Sequence, residues 1–229
     1  MTREKKFKLN FDDLRIEYRE TITQPATFNV KFIRQSSCPA HYAHIVGRIE
    51  PCQETFIFKN KIVDNTIPDY YIPACEQGFR KAMEEGRLAG YPVRGIKVIL
   101  EGGSYHEVDS REWSFRLAAW KGFAEAFMNA SPLLLEPIMR VQVQVPSAFI
   151  EQVKDDLLLR RGVILSVEMM LDEAILSWEV PMAQMMGYEE DLRAICLGGG
   201  SFSREFSCYR PVPLQIQQKM VEYWEKENR

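Results

Sequence analysis

Histidine and cysteine are scarce in this chain, three and five among 229 residues. The cysteines, Cys38, Cys52, Cys75, Cys196 and Cys208, are odd in number and scattered. Without a short paired spacing they exclude a disulfide framework and favour a reducing compartment, the cytoplasm being the simplest address. No apolar run reaches the roughly 20 residues of a membrane span. Met1 to Lys8 is basic with no apolar stretch behind it, so neither a membrane partner nor a targeting segment is expected. Strong charge of one sign is absent too. Formal net charge is −3; through Glu136, 19 basic residues stand against 18 acidic, and after it 10 against 14. That balance excludes a nucleic-acid binder driven by bulk charge, and leaves RNA contact to local clusters and backbone geometry. Also missing is a Gly-x-x-x-x-Gly-Lys-Ser/Thr phosphate loop. Gly198-Gly199-Gly200 leads into a predicted strand, where a phosphate cradle needs a helix N-terminus, and reads as a tight turn. By itself the chain is not expected to hydrolyse a nucleoside triphosphate.

What is present suits two domains of roughly 100 residues each, with a 46% hydrophobic content. From Asp12 to Val63 apolar residues alternate with polar ones, as in Leu14, Ile16, Tyr18 and Phe28, Val30, Phe32, and predict strands. Pro73 suits the first turn of a helix in which Cys75, Phe79, Ala82 and Met83 recur at helical spacing and which Gly86 is placed to stop. A strand follows over Tyr91 to Leu100, with Gly102-Gly103 predicting a turn. Asp109 followed by Glu112 has capping-box spacing at the start of a second helix, Ser110 to about Met128. Its stripe of Trp113, Leu117, Trp120, Ala124 and Met128 reads as core, a stacking role for the tryptophans being the alternative. After Ser131-Pro132 the pattern becomes strand 138–145, helix 147–158, strands 163–171 and 174–180, helix 182–194 and strand 202–209. This is the βαββαβ, ferredoxin-like order, and a last helix over 212–226 is expected outside it. No internal repeat or low-complexity segment interrupts this order.

Few residues gather as chemistry would require. Cys38, His41 and His44, with Cys52 within reach, have a spacing a metal could use, but histidines three apart in a strand point to opposite faces and no second pair accompanies them, so no metal is expected. The run Ser104-Tyr105-His106-Glu107-Val108-Asp109-Ser110 places a histidine and carboxylates in one loop. A hydrolase built on His106, Glu107 and Asp109 would need a nucleophile motif or oxyanion glycine loop, and neither is present. An exposed loop ending in a helix cap explains the same residues. Arg160-Arg161-Gly162 ends a helix, where cations complement the dipole or reach a phosphate.

Several segments together resemble elongation factor G. They are Tyr18-Arg19-Glu20-Thr21-Ile22, Lys59-Asn60-Lys61-Ile62-Val63 with Tyr71-Ile72-Pro73-Ala74, Gly86-x-Leu88-Ala89-Gly90-Tyr91-Pro92-Val93, Gly103 to Ser110, Leu134-Leu135-Glu136-Pro137-Ile138-Met139, Asp156-Leu157-x-x-Arg160-Arg161-Gly162, and Gly187-Tyr188 with Leu192-Arg193. The resemblance runs from about Tyr18 to Pro213 and corresponds to the family's fourth and fifth domains. It implies an α+β fold: a ribosomal-protein-like βαβ domain over 1–133 and a ferredoxin-like domain with a C-terminal helix over 134–229.

The resemblance also implies a function: the C-terminal, ribosome-binding part of a translation factor that promotes tRNA and mRNA translocation. In that family the fourth domain reaches the decoding centre, contacting rRNA, tRNA and mRNA through two tip loops. One tip loop matches Gln35, Ser36, Ser37, Cys38 and His41, and the other Ser104, Tyr105, His106 and Glu107. Arg160, Arg161 and Arg193 are the expected rRNA contacts of the second domain. GTP and Mg belong to the parent protein's GTPase domains, which this chain lacks, and a cytoplasmic monomer with no metal or cofactor of its own is expected. The alternative is a stand-alone paralogue that binds ribosomal RNA without GTPase activity, in recycling or protection. Two departures point to divergence. The family's Gln-Ser-Gly-Gly-Arg-Gly-Gln becomes Gln35-Ser36-Ser37-Cys38-Pro39-Ala40-His41, with proline removing an amide donor, and Gln-Gly-Arg-Gly becomes Leu197-Gly198-Gly199-Gly200.

Overall fold

The computed structural model describes residues 16–34, 40–63 and 65–228. Backbone contacts divide the chain into two units, 18–135 with 211–228, and 136–210.

In the first unit the alternating segments form strands because every second side chain finds a common core. β1 is Arg19–Ile22, β2 is Ala26–Arg34, β3 is His41–Pro51, β4 is Phe56–Asn60 and β5 is Ile96–Ser104. β2, β3, β5 and β4 make one sheet in that order, with β4 parallel to β5 and the other pairs antiparallel. In β3 the buried set is Ala43, Ile45, Gly47 and Ile49, the period of two expected of a half-buried strand. Helices α1, Ile72–Glu84, and α2, Glu112–Asn129, complete the core. Phe79 of α1 and Phe115, Phe123 and Phe127 of α2 join Phe28, Ile45 and Ile49 there. Pro73 stands in the first turn of α1, where its missing N–H costs nothing.

Two local expectations differ from the structure. Gly102 and Gly103 do not turn the chain: β5 continues through them to Ser104, with a register shift opposite Val46 and Gly47. Gly103 is required by close approach, since a Cβ there would overlap the His44 carbonyl oxygen. In α2 the expected core stripe faces the other way. Trp113 is 44% exposed and Met128 49%, while Phe115, Ala118, Ala119, Phe123, Ala126 and Phe127 are wholly buried. Both stripes satisfy the helical period, and the phenylalanine and alanine stripe is the one narrow enough to lie close to β2, β3 and α1.

The second unit has the βαββαβ order expected of it. β6, Pro132–Pro146, is followed by α3, Ile150–Leu159, β7, Val163–Met169, β8, Glu173–Pro181, α4, Tyr188–Ile195, and β9, Ser201–Pro211. The spatial order is β9-β6-β8-β7. Val141, Val143, Val145, Val153, Leu157, Leu176, Trp178, Tyr188 and Leu192 form its core.

The last helix, α5, Leu214–Glu227, groups with the first unit, whereas its sequence position places it with the second domain. Leu134 makes the reason local: its carbonyl accepts from the Val212 N–H at 2.9 Å, and its N–H donates to Gln217 Oε1 at 2.9 Å. At Gly90, φ 78°, an added Cβ would meet the Trp224 indole, so the absence of a side chain lets the helix close on the loop.

Candidate functional site

The two segments expected to form the tip meet at one end of the first unit. Gln35, Ser36, Ser37, Cys38 and Pro39 lie outside the described residues, which resume at Ala40. His41 and Tyr42 open β3, and Ser104 closes β5 beside them. The Tyr42 N–H donates to the Asp109 carbonyl at 3.0 Å. The Tyr42 hydroxyl lies 2.7 Å from Ser104 Oγ, and the two rings of Tyr42 and His106 have centroids 6.3 Å apart.

Ser110 joins the two segments. Its buried hydroxyl donates to the Tyr42 carbonyl at 2.9 Å and accepts from the His106 N–H at 2.9 Å. Its own carbonyl accepts from the Tyr71 hydroxyl at 3.0 Å and from Arg111 Nη1 at 2.8 Å. These bonds occupy the residues that would otherwise cap α2. The expected capping box is not made: the N-cap is Arg111, with no side-chain cap bond. Asp109 turns instead to His106, its Oδ2 3.2 Å from Nδ1.

All three histidines of the chain fall in this region. In the neutral His106 ring protonated at Nε2, where Nδ1 cannot donate to the Asp109 carboxylate, Nδ1 accepts the Asp109 N–H at 3.2 Å and the Val108 N–H at 3.4 Å, which holds the ring by one edge. The side chain is 55% exposed, and Nε2 has no protein partner among the described residues. That leaves one ring nitrogen to meet a phosphate, ribose or base edge. Tyr105 and Glu107 beside it are exposed.

His44 is fixed on both edges. Asn29 Oδ1 accepts from Nε2–H at 2.9 Å, so in the neutral ring Nδ1 accepts from the Ser104 hydroxyl at 3.2 Å. Burial first, and then the Lys31 ammonium, lower its pKa below the ordinary histidine value. His41 packs edge-on against Trp113, ring centroids 5.2 Å apart. The sequence reading missed Asn29 and the positioning role of His44, because each acts through a partner from another strand. Among the described residues no group of three or more His, Cys, Asp or Glu could hold a metal ion, and no described helix is long and apolar enough to cross a membrane.

The arginines of the second unit divide by burial. Arg160 is 3% exposed and its donors are spent within the unit: Nε to Asp156 Oδ2 at 2.7 Å, Nη1 to the Gln184 carbonyl at 2.6 Å and Nη2 to Asp191. Its guanidinium lies 5.1 Å over the Tyr188 ring. Arg161, at φ 61°, makes a two-pronged pair with Glu136 at 2.8 and 2.8 Å. Both are held in ion pairs within the unit, Arg160 buried and Arg161 partly exposed. Arg193 stands on the surface, paired with Glu189 at 2.6 Å, beside a cavity of about 600 Å³ that also reaches Tyr188, Phe202 and Arg204.

Comparison with known proteins agrees with this organisation. A family model described as elongation factor G, domain IV, matches residues 14–131, and one described as elongation factor G C-terminus matches 133–220. The chain belongs to the elongation factor G family. It is 41% identical over 209 residues to elongation factor G 1 of Syntrophus aciditrophicus strain SB, covering 91% of this chain and 30% of that protein. A crystal structure from Thermus thermophilus superposes with a TM-score of 0.85 at 37% identity, over 92% of this chain and 32% of that one. The chain therefore spans about a third or less of the elongation factor G relative and of that crystallised chain, and corresponds to the family's domain IV and C-terminus.

Proposed function

We propose that this chain is the ribosome-facing part of a translational GTPase, promoting tRNA and mRNA translocation by inserting its first unit at the decoding centre. The observation that supports this reading best is the junction of the two tip segments at Ser110, with the His106 ring held by one edge and its other nitrogen turned outward. A rigid sheet ending in short loops can present such groups to an RNA crevice with little ordering cost. Bound there, it occupies space into which a tRNA would otherwise return. GTP and Mg act on the parent protein's GTPase portion. His41, Ser104, Tyr105, His106 and Glu107 make the contacts, in a cytoplasmic protein whose other partners are rRNA and mRNA. Arg193 is the second unit's candidate rRNA contact. The altered segment Ser37-Cys38-Pro39-Ala40 marks a divergent paralogue.

The test is cosedimentation of the chain, and of its His106→Ala variant, with 70S ribosomes across a salt series. Binding that falls as salt rises and is weakened by the substitution supports the reading. Binding indifferent to both salt and His106 overturns it.

A further inference from the structure

The outward face of α2 is apolar where a surface helix is ordinarily polar. Trp113, Leu117 and Trp120 follow one another at helical spacing on the side away from the buried phenylalanines, and Trp113 is 44% exposed. With Gly78 and Lys81 of α1 and Arg116 of α2 they line a groove of about 260 Å³. Trp113 is exposed, while Trp120 is half-buried and packs partly against the core, so the row is an apolar surface with one open ring and one partly covered ring.

The cations around this face say which kind of partner it suits. Arg87 lies 4.3 Å over the Trp120 ring, and Lys121 lies 5.2 Å over the Phe32 ring, which itself packs edge-on to Trp113 at 5.6 Å. Lys81 is neutralised by Glu84 and Glu85. Arg87, Arg116 and Lys121 have no carboxylate within ion-pair distance among the described residues, so the aromatic row carries uncompensated positive charge. The row is also continuous with the tip, because His41 stacks edge-on against Trp113 and Lys31 lies 5.6 Å over the adjoining Tyr42 ring. Trp113 and the Arg87-covered Trp120 lie about 10 Å apart along the helix, at seven residues and 1.5 Å rise, so a base can stack on the Trp113 ring and another on the guanidinium plane over Trp120, with phosphates held between them.

We propose that the α2 face of Trp113 and Trp120 is a stacking platform for single-stranded RNA, extending the tip contact along the helix. It deepens the ribosomal reading above and rests on it for the source of the RNA, but its chemistry is independent of His106. Stacking is sequence-tolerant, since every base has a π-face, so the expected preference is for unpaired bases with little discrimination among them. A duplex hides those faces and should bind less well.

The experiment is binding of a fluorescein-labelled ten-nucleotide oligoadenylate to the intact chain, read by anisotropy and by tryptophan quenching, with polyphosphate as a base-free polyanion. Single-stranded binding that Trp113→Ala and Trp120→Ala each weaken about ten-fold, with polyphosphate binding unchanged by them, is the expected result. The conservative changes Trp113→Phe and Trp120→Phe should retain most of the affinity, which separates stacking from a loss of fold. Equal binding of polyphosphate and oligoadenylate, or affinity indifferent to both tryptophans, overturns the platform. So does concentration-dependent self-association, measured by sedimentation, that Trp113→Ala abolishes, since it would make the face a protein interface. Ribosome cosedimentation reads His106 and oligoadenylate binding reads the two tryptophans, so failure of the tip reading and failure of this one are told apart.

Discussion

The Ser110 hydroxyl donates to the Tyr42 carbonyl at 2.9 Å while accepting the His106 N–H at the same distance, so one buried oxygen ties the start of β3 to the loop after β5. Ser110→Ala removes both bonds and leaves a carbonyl and an N–H without partners. The expected cost is about 1–2 kcal/mol in urea denaturation. Hydrogen exchange at the Tyr42 and His106 amides should quicken well beyond the change in global stability. If exchange in both segments is unaltered, Ser110 does not join them.

Glu20 is a fully buried carboxylate held by loop amides. Oε1 accepts from the Ala89 and Tyr91 N–H groups at 2.8 and 3.0 Å, and Oε2 from Leu88 at 3.0 Å. Gly86 is glycine for the same reason, since a Cβ there would overlap this carboxylate. Burial pushes the Glu20 pKa above the usual carboxylate value, and the amides, which stabilise the charge, only partly offset it. Glu20→Gln turns an amide nitrogen toward one of the donors and should cost about 2 kcal/mol. Because the folded pKa is raised, the wild type gains stability below the ordinary carboxylate range and loses it as pH rises through the folded value. The stability gap between wild type and Glu20→Gln should therefore widen as pH is lowered from 7 and level off below the ordinary value. Urea midpoints at a series of pH values decide it, and a gap that narrows in acid contradicts the assignment.

How far such features can be read from residues alone depends on whether one element or several decide them. Cys75, Phe79, Ala82 and Met83 reveal α1 directly, because a helix with one apolar stripe has one way to pack. The alternation in β2 and β3 and the βαββαβ order of the second unit are legible for the same reason. α2 is ambiguous: it has two apolar stripes, and the sheet it packs on decides between Trp113 and Phe115. The role of Asp109 turns on Ser110, whose partners come from β3 and from Tyr71. His106 is visible in its motif, whereas Asn29 and His44 become part of the site only through strand pairing.

Glu50 titrates in the opposite sense to Glu20. Its carboxylate accepts from Lys97 Nζ at 2.7 Å and Arg48 Nε at 2.8 Å, and these two bonds hold its pKa down to about 2. A depressed folded value means the contribution is complete above the ordinary carboxylate pKa and disappears as pH falls from there to about 2. The group is partly solvated, so Glu50→Gln should cost only about 0.5–1 kcal/mol at pH 7. At about pH 2.5 the variant and wild type should differ much less. An effect that persists undiminished in acid would place the loss in packing.

Arg160 and Arg193 separate bracing from surface chemistry in the second unit. Arg160→Ala strands the Asp156 carboxylate and the Gln184 carbonyl beside a buried ring, and should cost about 3 kcal/mol or more in denaturation. Arg193→Ala breaks an exposed pair with Glu189 and should change stability by less than about 1 kcal/mol. If Arg193 meets an rRNA phosphate, its removal lowers the salt dependence of ribosome binding by about one unit of log–log slope while the fold is untouched. Arg160→Lys supplies the control: it keeps the charge but not the three-way donor geometry, so it should remain destabilised with no change in slope. A slope altered by Arg160→Lys in protein that is still fully folded would reverse these roles.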